Sequence, residues 1–305
     1  SEGIAMSFSG DVKKELTAAV PDKVCCRGAM AYGLLECGHA FSAGEISLQT
    51  ELPEVAALYS YLVPRVCAVA APAAGEKQRR TRLYTRAFPD AAERQKILER
   101  FGHGHTAVSL RLNRANLDCD DCARAYLRGA FLACGAVTDP ARDYHLEWCV
   151  PHYNLSRDLA ALLREVGFPA KTVSRAGSYV VYLKESSRIE DCLTYLGACR
   201  GSLEMMNVKM VKSIRNETNR RLNCDSANID KTVAAAAVQT EALRRLERSG
   251  GLENLPPELQ TLARLRLENP ELSLRELGEA LEPPLTRSGV NHRMQKLLKL
   301  AQMPD

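Results

Sequence analysis

Two stretches of the chain are one helix written twice. Cys25, Arg27, Leu34, Leu35, Cys37 and Gly38 recur as Cys122, Arg124, Phe131, Leu132, Cys134 and Gly135, each pair 97 positions apart with no gap between them. A repeat that holds its register over a whole helix implies two copies of one supersecondary unit packed about a pseudo-twofold axis. At 305 residues the chain is long enough for that duplicated unit and one further domain, each with its own core.

Composition narrows the class. The hydrophobic fraction of 46% suits a globular chain and argues against disorder. No run reaches the roughly 18 apolar residues of a membrane helix, so no membrane role is expected. The five residues before Met6 are taken as a cloning remnant, and no secretory signal is expected. Those expectations place the protein in the cytoplasm, at the nucleoid, with its eleven cysteines as reduced thiols instead of a disulfide framework. Net charge is only +4, but Lys77, Arg79, Arg80, Arg82 and Arg86 fall within ten residues, and Lys209, Lys212, Arg215, Arg220 and Arg221 form a second basic stripe. Such stripes are what a phosphate-binding surface needs, although a single stripe is equally a solvated face.

The pattern along the chain predicts helices over 11–19, 25–37, 53–67 and 90–100, with strands at 45–50, 78–88 and 108–112. The second copy predicts a helix at 120–134, a strand at 144–150, a helix at 155–166, a hairpin of 170–175 with 179–184, and a helix at 188–199. This recurrent order predicts an α+β domain over 6–222, with halves at about 6–115 and 116–222. From Ser226 the texture becomes helical, stopping at Gly250-Gly251, and residues 223–305 are expected to form an all-α domain. Pro256-Pro257 opens a helix that ends before Asn269-Pro270. Ser273 and Glu276 form a capping-box pair ahead of Leu274, Leu277 and Leu281. Thr286 can cap a last helix whose inner stripe is Val290, Met294, Leu297 and Leu298.

Two short helices joined by a tight turn, the second with a basic and amide-bearing outer face, form a helix-turn-helix pattern. Arginine can bond bidentately to guanine and asparagine to adenine, while lysine suits phosphate. The candidate DNA-contacting set is Arg275, Thr286, Arg287, Ser288, Asn291, His292, Arg293 and Lys296. The expected partner is double-stranded DNA. No glycine-rich phosphate loop is present, and neither a cofactor nor a small-molecule substrate is expected.

The segment YLRGAFLACG (126–135) resembles the core helix of LAGLIDADG homing endonucleases. In that fold two such helices pack through small residues, for which Gly129, Ala130 and Ala133 in one copy and Gly28, Ala29 and Gly33 in the other are the candidates. Active members of that fold end each helix with an acid, and the two acids hold divalent metal for phosphodiester cleavage. Here those two positions are Cys37 and Cys134, and a thiol is a poor ligand for Mg²⁺. Glu36 is one residue off, about 100° around the helix.

From Met6 onward the chain resembles the WhiA family of sporulation and cell-division regulators. The match rests on MSFSGDVKKEL (6–16), YLRGAFLACGAVTDP (126–140), YHLE (144–147), NRRLNCDSANIDKTVAAAAVQ (219–239), LSLRELGEAL and SGVNHRMQKL (272–297). The resemblance implies a degenerate, pseudo-twofold LAGLIDADG-like domain followed by a helix-turn-helix domain. It further implies a non-catalytic regulator of transcription, cell division and chromosome segregation, with a protein partner in the transcription machinery as a further expectation. The competing readings are an active nuclease using displaced acids such as Glu36 or Asp139, and a saddle-shaped sheet that binds a protein partner. In the homing-endonuclease fold the strands beside the paired helices lay alternate side chains on the duplex. Arg80, Arg82 and Arg86 are therefore expected on one strand face as a second DNA surface, with Arg79 and Leu83 on the other.

Cys119-Asp-Asp-Cys122 has metal-ligand spacing, and Cys25-Cys26 opens the equivalent helix. Parallel packing of the two helices would bring these pairs together as a four-thiolate site. Only one pair has the C-x-x-C spacing, so the expectation is buried, inert thiols and no metal.

Overall fold

The computed structural model describes residues 7–78, 81–104 and 109–301. Two compact units divide at Val211/Lys212.

In the first unit, α1 (Phe8–Ala18), α2 (Val24–Glu36), β1 (Ala40–Phe41), β2 (Ile46–Thr50), α3 (Pro53–Cys67), β3 (Ala73–Gln78), β4 (Arg82–Ala87) and α4 (Ala91–Arg100) make the first half. A 3-10 turn at Arg114–Asn116 leads to α5 (Asp120–Cys134), β5 (Gly135–Val137), β6 (Leu146–Val150), α6 (Tyr153–Glu165), β7 (Lys171–Arg175), β8 (Ser178–Leu183) and α7 (Ser186–Leu196). The two antiparallel sheets have the same order, β1-β2-β4-β3 and β5-β6-β8-β7. The duplication seen in the helices therefore extends to the sheets. The 97-residue offset becomes 100 between Ile46 and Leu146 and between Pro53 and Tyr153, because the segment from the repeated cysteine to the second strand is three residues longer in the second copy (135–145 against 38–45).

Helices α2 and α5 pack against each other at the centre of one continuous core. Nearly every side chain of α2 from Met30 to Glu36 is buried, as is α5 from Ala125 to Leu132. A helix buried on all faces must meet its neighbours closely. Two glycines allow it: a Cβ on Gly33 would stand 2.2 Å from the Tyr126 carbonyl oxygen, and one on Gly129 would stand 2.1 Å from that of Met30. A Cβ on Gly28, expected in the same role, would instead meet only the Arg100 guanidinium, at 3.7 Å.

Two side chains close the ends of the unit. Arg128, buried beside this pair, donates from Nε to the Leu196 carbonyl at 2.6 Å and from its Nη1 to the Ala19 carbonyl. It thus satisfies carbonyls at the C-terminal ends of α7 and α1, which lack intrahelical partners. The Glu15 carboxylate accepts from the Arg200 and Gly201 amides at 2.8 and 3.1 Å, capping the helix that follows.

Three sequence expectations are corrected. The single strand expected at 78–88 is a hairpin of β3 and β4, and β3 is exposed along its length, so no apolar alternation marked it. Residues 109–113 are irregular; Leu112 is anchored by its amide to Asp158 at 3.2 Å. The division between the two units lies at Val211/Lys212 and not at the expected 222, and α8 runs unbroken from Cys199 to Arg248 through both positions.

In the second unit the end of α8 packs with a 3-10 turn at Gly251–Asn254, α9 (Pro257–Glu268), α10 (Leu274–Glu279) and α11 (Arg287–Leu300). Leu243, Leu262, Leu277, Val290, Met294 and Leu297 are wholly buried in its core. The Ser273–Glu276 capping box forms in full, and Thr286 caps α11 by accepting from the Gly289 amide. Gly278 lets the α10–α11 turn close: a Cβ there would lie 2.2 Å from the Leu285 carbonyl oxygen.

Candidate nucleic-acid interface

The last helix presents divided faces. Val290, Met294 and Leu297 point inward, while Arg287, Ser288, Asn291, His292 and Lys296 are exposed. The helix start is preorganised by the Thr286 cap, which fixes where Arg287, Ser288 and Asn291 project. Arg293 departs from the expected outward set. It forms an ion pair with Glu258 of α9 at 2.7 Å and its side chain is only 29% exposed. Arg275 is exposed and pairs with Glu279 at 2.9 Å. Arg275 and Arg287 line one cleft together with Lys231, Asn228 and the buried Arg266. Nothing in the sequence spacing ties Lys231 or Arg266 to the helix-turn-helix, since both reach the cleft from other helices. The Arg266 Nε is buried and has no partner, while its Nη1 donates to the carbonyls of Pro270 and Leu272.

The expected arginine row on the first sheet is corrected. Arg80 lies outside the described residues. Arg82 and Arg86 do share a strand face, but it is the face packed on α3. Arg86 donates from Nε to Ser60 Oγ at 3.0 Å, and its neighbours on that face include Leu48. The next residue on it, Phe88, meets the Tyr59 ring. Arg82 pairs with Glu76 at 2.9 Å. Alternation identifies which residues share a face; it does not say which face the helices cover.

The second sheet carries basic groups on its uncovered face. Leu146, Trp148, Val150, Val181 and Leu183 are buried beneath α6, so Glu147 and Tyr182 point the other way, with Lys171 and Arg175 in register beside them. Lys171, Arg175 and the flanking Lys184 are all exposed. His145 stacks on Tyr182 and its Nε2 lies 2.8 Å from Glu147, whose other oxygen pairs with Arg175 at 3.2 Å. The signal was present in the strand pattern Lys171-Thr-Val-Ser-Arg175, which sets two cations on one face.

The C-terminal ends of the paired helices hold sulfur where the homing-endonuclease pattern needs acid. The interaction with Cys134 first, and then burial, pushes the Cys37 thiol well above its usual range. The Tyr126 hydroxyl lies 4.0 Å from Cys37 Sγ. Lys13 sits close by, and burial lowers its ammonium to about 8, opposed by Cys134 and Glu51.

Glu36 turns away from this pair. Its two carboxylate oxygens accept from the Tyr32 and Tyr126 hydroxyls at 2.8 and 2.6 Å, and it is 2% exposed. Burial raises the carboxyl to about 7, even though the two tyrosine hydrogen bonds pull it down. His103 Nε2 bonds the same Tyr32 hydroxyl at 2.8 Å, and burial lowers that imidazole below its usual value. Asp139 is exposed in the loop after β5, where its carboxylate accepts from the Ala141 amide. The two displaced acids are thus a sealed core residue and a loop cap.

The fold and these two regions define a duplicated LAGLIDADG-like domain with thiols at its acid positions, followed by a helix-turn-helix domain. Family models for the WhiA LAGLIDADG-like domain and the WhiA C-terminal HTH domain match residues 123–215 and 218–301. A probable cell division protein WhiA of Clostridium perfringens is 36% identical over 309 residues, covering 97% of this chain and 98% of its own. One from Clostridium botulinum is 42% identical over 195 residues, covering 64% of this chain and 62% of its own. The crystal structure of full-length WhiA from Thermotoga maritima matches 98% of this chain and 100% of its own, with TM-score 0.59 and 22% identity. The chain belongs to the WhiA family. Among the described residues no helix is long and apolar enough to cross a membrane.

Proposed function

We propose that this protein is a non-catalytic regulator of cell division that binds double-stranded DNA, acting on transcription, chromosome segregation and sporulation-type development. The observation that carries the reading is the outer face of α11. Arg287, Ser288, Asn291, His292 and Lys296 are exposed together behind a capped helix start, with Arg275 and Lys231 lining the adjoining cleft. Base-reading and phosphate-holding side chains are thus on one helix and its border. The cell-division role is brought by the names of the relatives.

The absence of nuclease activity is supported by chemistry at the paired helix ends. Two-metal cleavage needs hard oxygen ligands open to substrate. Cys37 and Cys134 offer sulfur, and Glu36 is closed between two tyrosines. Mapping of bound chromosomal sites, followed by gel-shift with the recovered sequences, tests DNA binding. The wild type should shift them and Arg287→Ala with Asn291→Ala should not. Incubation of those sequences with Mg²⁺ or Mn²⁺ should leave them uncut; nicking that disappears in Glu36→Gln would defeat the non-catalytic reading.

The uncovered face of the second sheet favours an additional, weaker role on DNA. Lys171, Arg175 and Lys184 suit phosphates, which repeat regardless of sequence. A protein partner from the transcription machinery is the alternative occupant of this face, favoured by the charge-neutralised His145–Glu147–Arg175 cluster.

A further inference from the structure

The N-terminal ends of α2 and α5 bring together four thiols. Cys25 and Cys26 lie in the first turn of α2; Cys119 is the N-cap residue of α5 and Cys122 lies in its first turn. The sulfur–sulfur distances are 3.6 Å for Cys25–Cys119, 3.5 Å for Cys26–Cys119, 3.8 Å for Cys26–Cys122 and 3.5 Å for Cys119–Cys122. All four sulfurs lie within 4.8 Å of one another. We propose that Cys25, Cys26, Cys119 and Cys122 bind one zinc ion, which staples the two halves of the duplicated domain at the starts of its paired helices.

The geometry fits a single tetrahedral ion, for which zinc is the common tetrathiolate metal. Four sulfurs at about 2.3 Å from a tetrahedral zinc ion are separated from one another by about 3.8 Å. The observed separations match one shared ion and fall far outside the disulfide bond length of about 2.05 Å. An iron–sulfur cluster places several irons and sulfides between its cysteines and would hold their sulfurs further apart. Thiolates are soft donors, so Mg²⁺ and Ca²⁺ are disfavoured.

Sequence spacing undersold this site because it is shared between two segments. Adjacent residues such as Cys25 and Cys26 project about 100° apart on a helix, which suits them poorly as a chelating pair on their own. Here Cys119 stands outside the first turn of α5 and lies within 3.6 Å of both. The Cys122 amide bonds the Cys119 carbonyl at 2.9 Å, which sets the two sulfurs of the C-x-x-C pair on the same side. Two helix N-termini point their partial positive charge at the cluster, favouring bound anionic sulfur. Each thiol that becomes a ligand releases its proton to solvent. Cys26 and Cys122 are buried, whereas Cys25 and Cys119 are half-buried, so an ion can reach the site. Lys23 and Asp121 close the outside with an ion pair at 2.8 Å between the two halves.

The test uses the full chain, purified under reducing conditions and dialysed free of loose metal. Elemental analysis should find one zinc per chain. Cobalt exchanged for the zinc should give the d–d and sulfur-to-cobalt bands of a tetrahedral tetrathiolate. Cys119→Ser and Cys122→Ser should lose the zinc, whereas Cys224→Ser, at an exposed thiol outside the cluster, should keep it. Should the first two variants fail to fold, mercurial titration of the wild type decides. Zinc should be released as the cluster thiols are modified, and a strong chelator should lower the melting temperature of the wild type. A folded, reduced wild type that retains no metal and gives no tetrathiolate cobalt spectrum overturns the proposal. So does a chain isolated with an iron–sulfur chromophore, or with these cysteines joined as disulfides.

Discussion

The helix pair α2/α5 and the last helix α11 solve opposite problems. The pair is enclosed on nearly every face, so its identity is decided by what fits: two glycines, small residues, and polar groups that must find partners inside. Helix α11 has one buried stripe and one free face, so its packing and its chemistry are carried by different residues. A substitution in the pair is therefore felt by the fold first, whereas a substitution on the outer face of α11 is felt by the ligand.

The comparison can be broken most sharply at Gly129. Replacing it with alanine improves helix propensity by about 1 kcal/mol, yet puts a methyl 2.1 Å from the Met30 carbonyl oxygen. Because both neighbours are backbone, the helices must separate, and a net loss on the order of 3 kcal/mol is expected in chemical denaturation. A variant as stable as the wild type would show that the pair tolerates a wider gap.

Glu36 gives the next effect, with the opposite sign. Burial pushes its carboxyl up to about 7 from an ordinary 4.5, so the folded state holds the proton more tightly than the unfolded chain does. Stability from this group is complete below pH 4.5 and is lost as pH rises through 7. Glu36→Gln removes that loss. Its advantage over the wild type should grow between pH 4.5 and 7 and level off above, at about 3 kcal/mol. His103, shifted downward by burial, tilts the wild-type profile the other way.

On α11, Arg287→Ala should cost about 1–3 kcal/mol of DNA affinity if the guanidinium reads a base, while unfolding changes by no more than about 0.5 kcal/mol. An equal loss of stability would erase the distinction between the two helices.

The second sheet tests whether the LAGLIDADG-like domain shares in DNA binding. Changing Lys171, Arg175 and Lys184 to glutamine should lower the slope of log affinity against log salt by about 2–3 units without altering sequence preference. Arg86→Gln should leave that slope alone and cost about 1 kcal/mol of stability through its Ser60 hydrogen bond. The smallest effect belongs to Glu258→Gln, which releases Arg293; this surface pair, exposed on the Glu258 side, is worth about 0.5 kcal/mol or less.

What could be read beforehand follows from how local each signal is. The start of α3 at Pro53, the Ser273–Glu276 box and the Thr286 cap depend on neighbours a few residues away, and the chain states them directly. Strand β3 has no buried face and so wrote no alternation. Helix α8 is exposed through much of its length and crosses the expected boundary at 222 because nothing in its polar sequence stops it. The alternation at 108–112 mimicked a strand, although Leu112 is held by a hydrogen bond from its amide to α6. Arg86 was assigned to the wrong side because periodicity is blind to which side of a sheet the helices occupy. The four-thiol cluster was visible only in part, since a ligand set drawn from two repeats satisfies no spacing rule within either.

Arg128 and Glu15 set an order for events at the ribosome. Helix α1 is synthesised before both of its partners: its terminal carbonyl at Ala19 waits for Arg128, and its Glu15 is matched only when the amides of Arg200 and Gly201 emerge. Domains generally assemble as units during synthesis. A nascent chain halted before Arg200 should pack α1 through Val12 and Leu16 but leave its Glu15 carboxylate without the Arg200 and Gly201 amides.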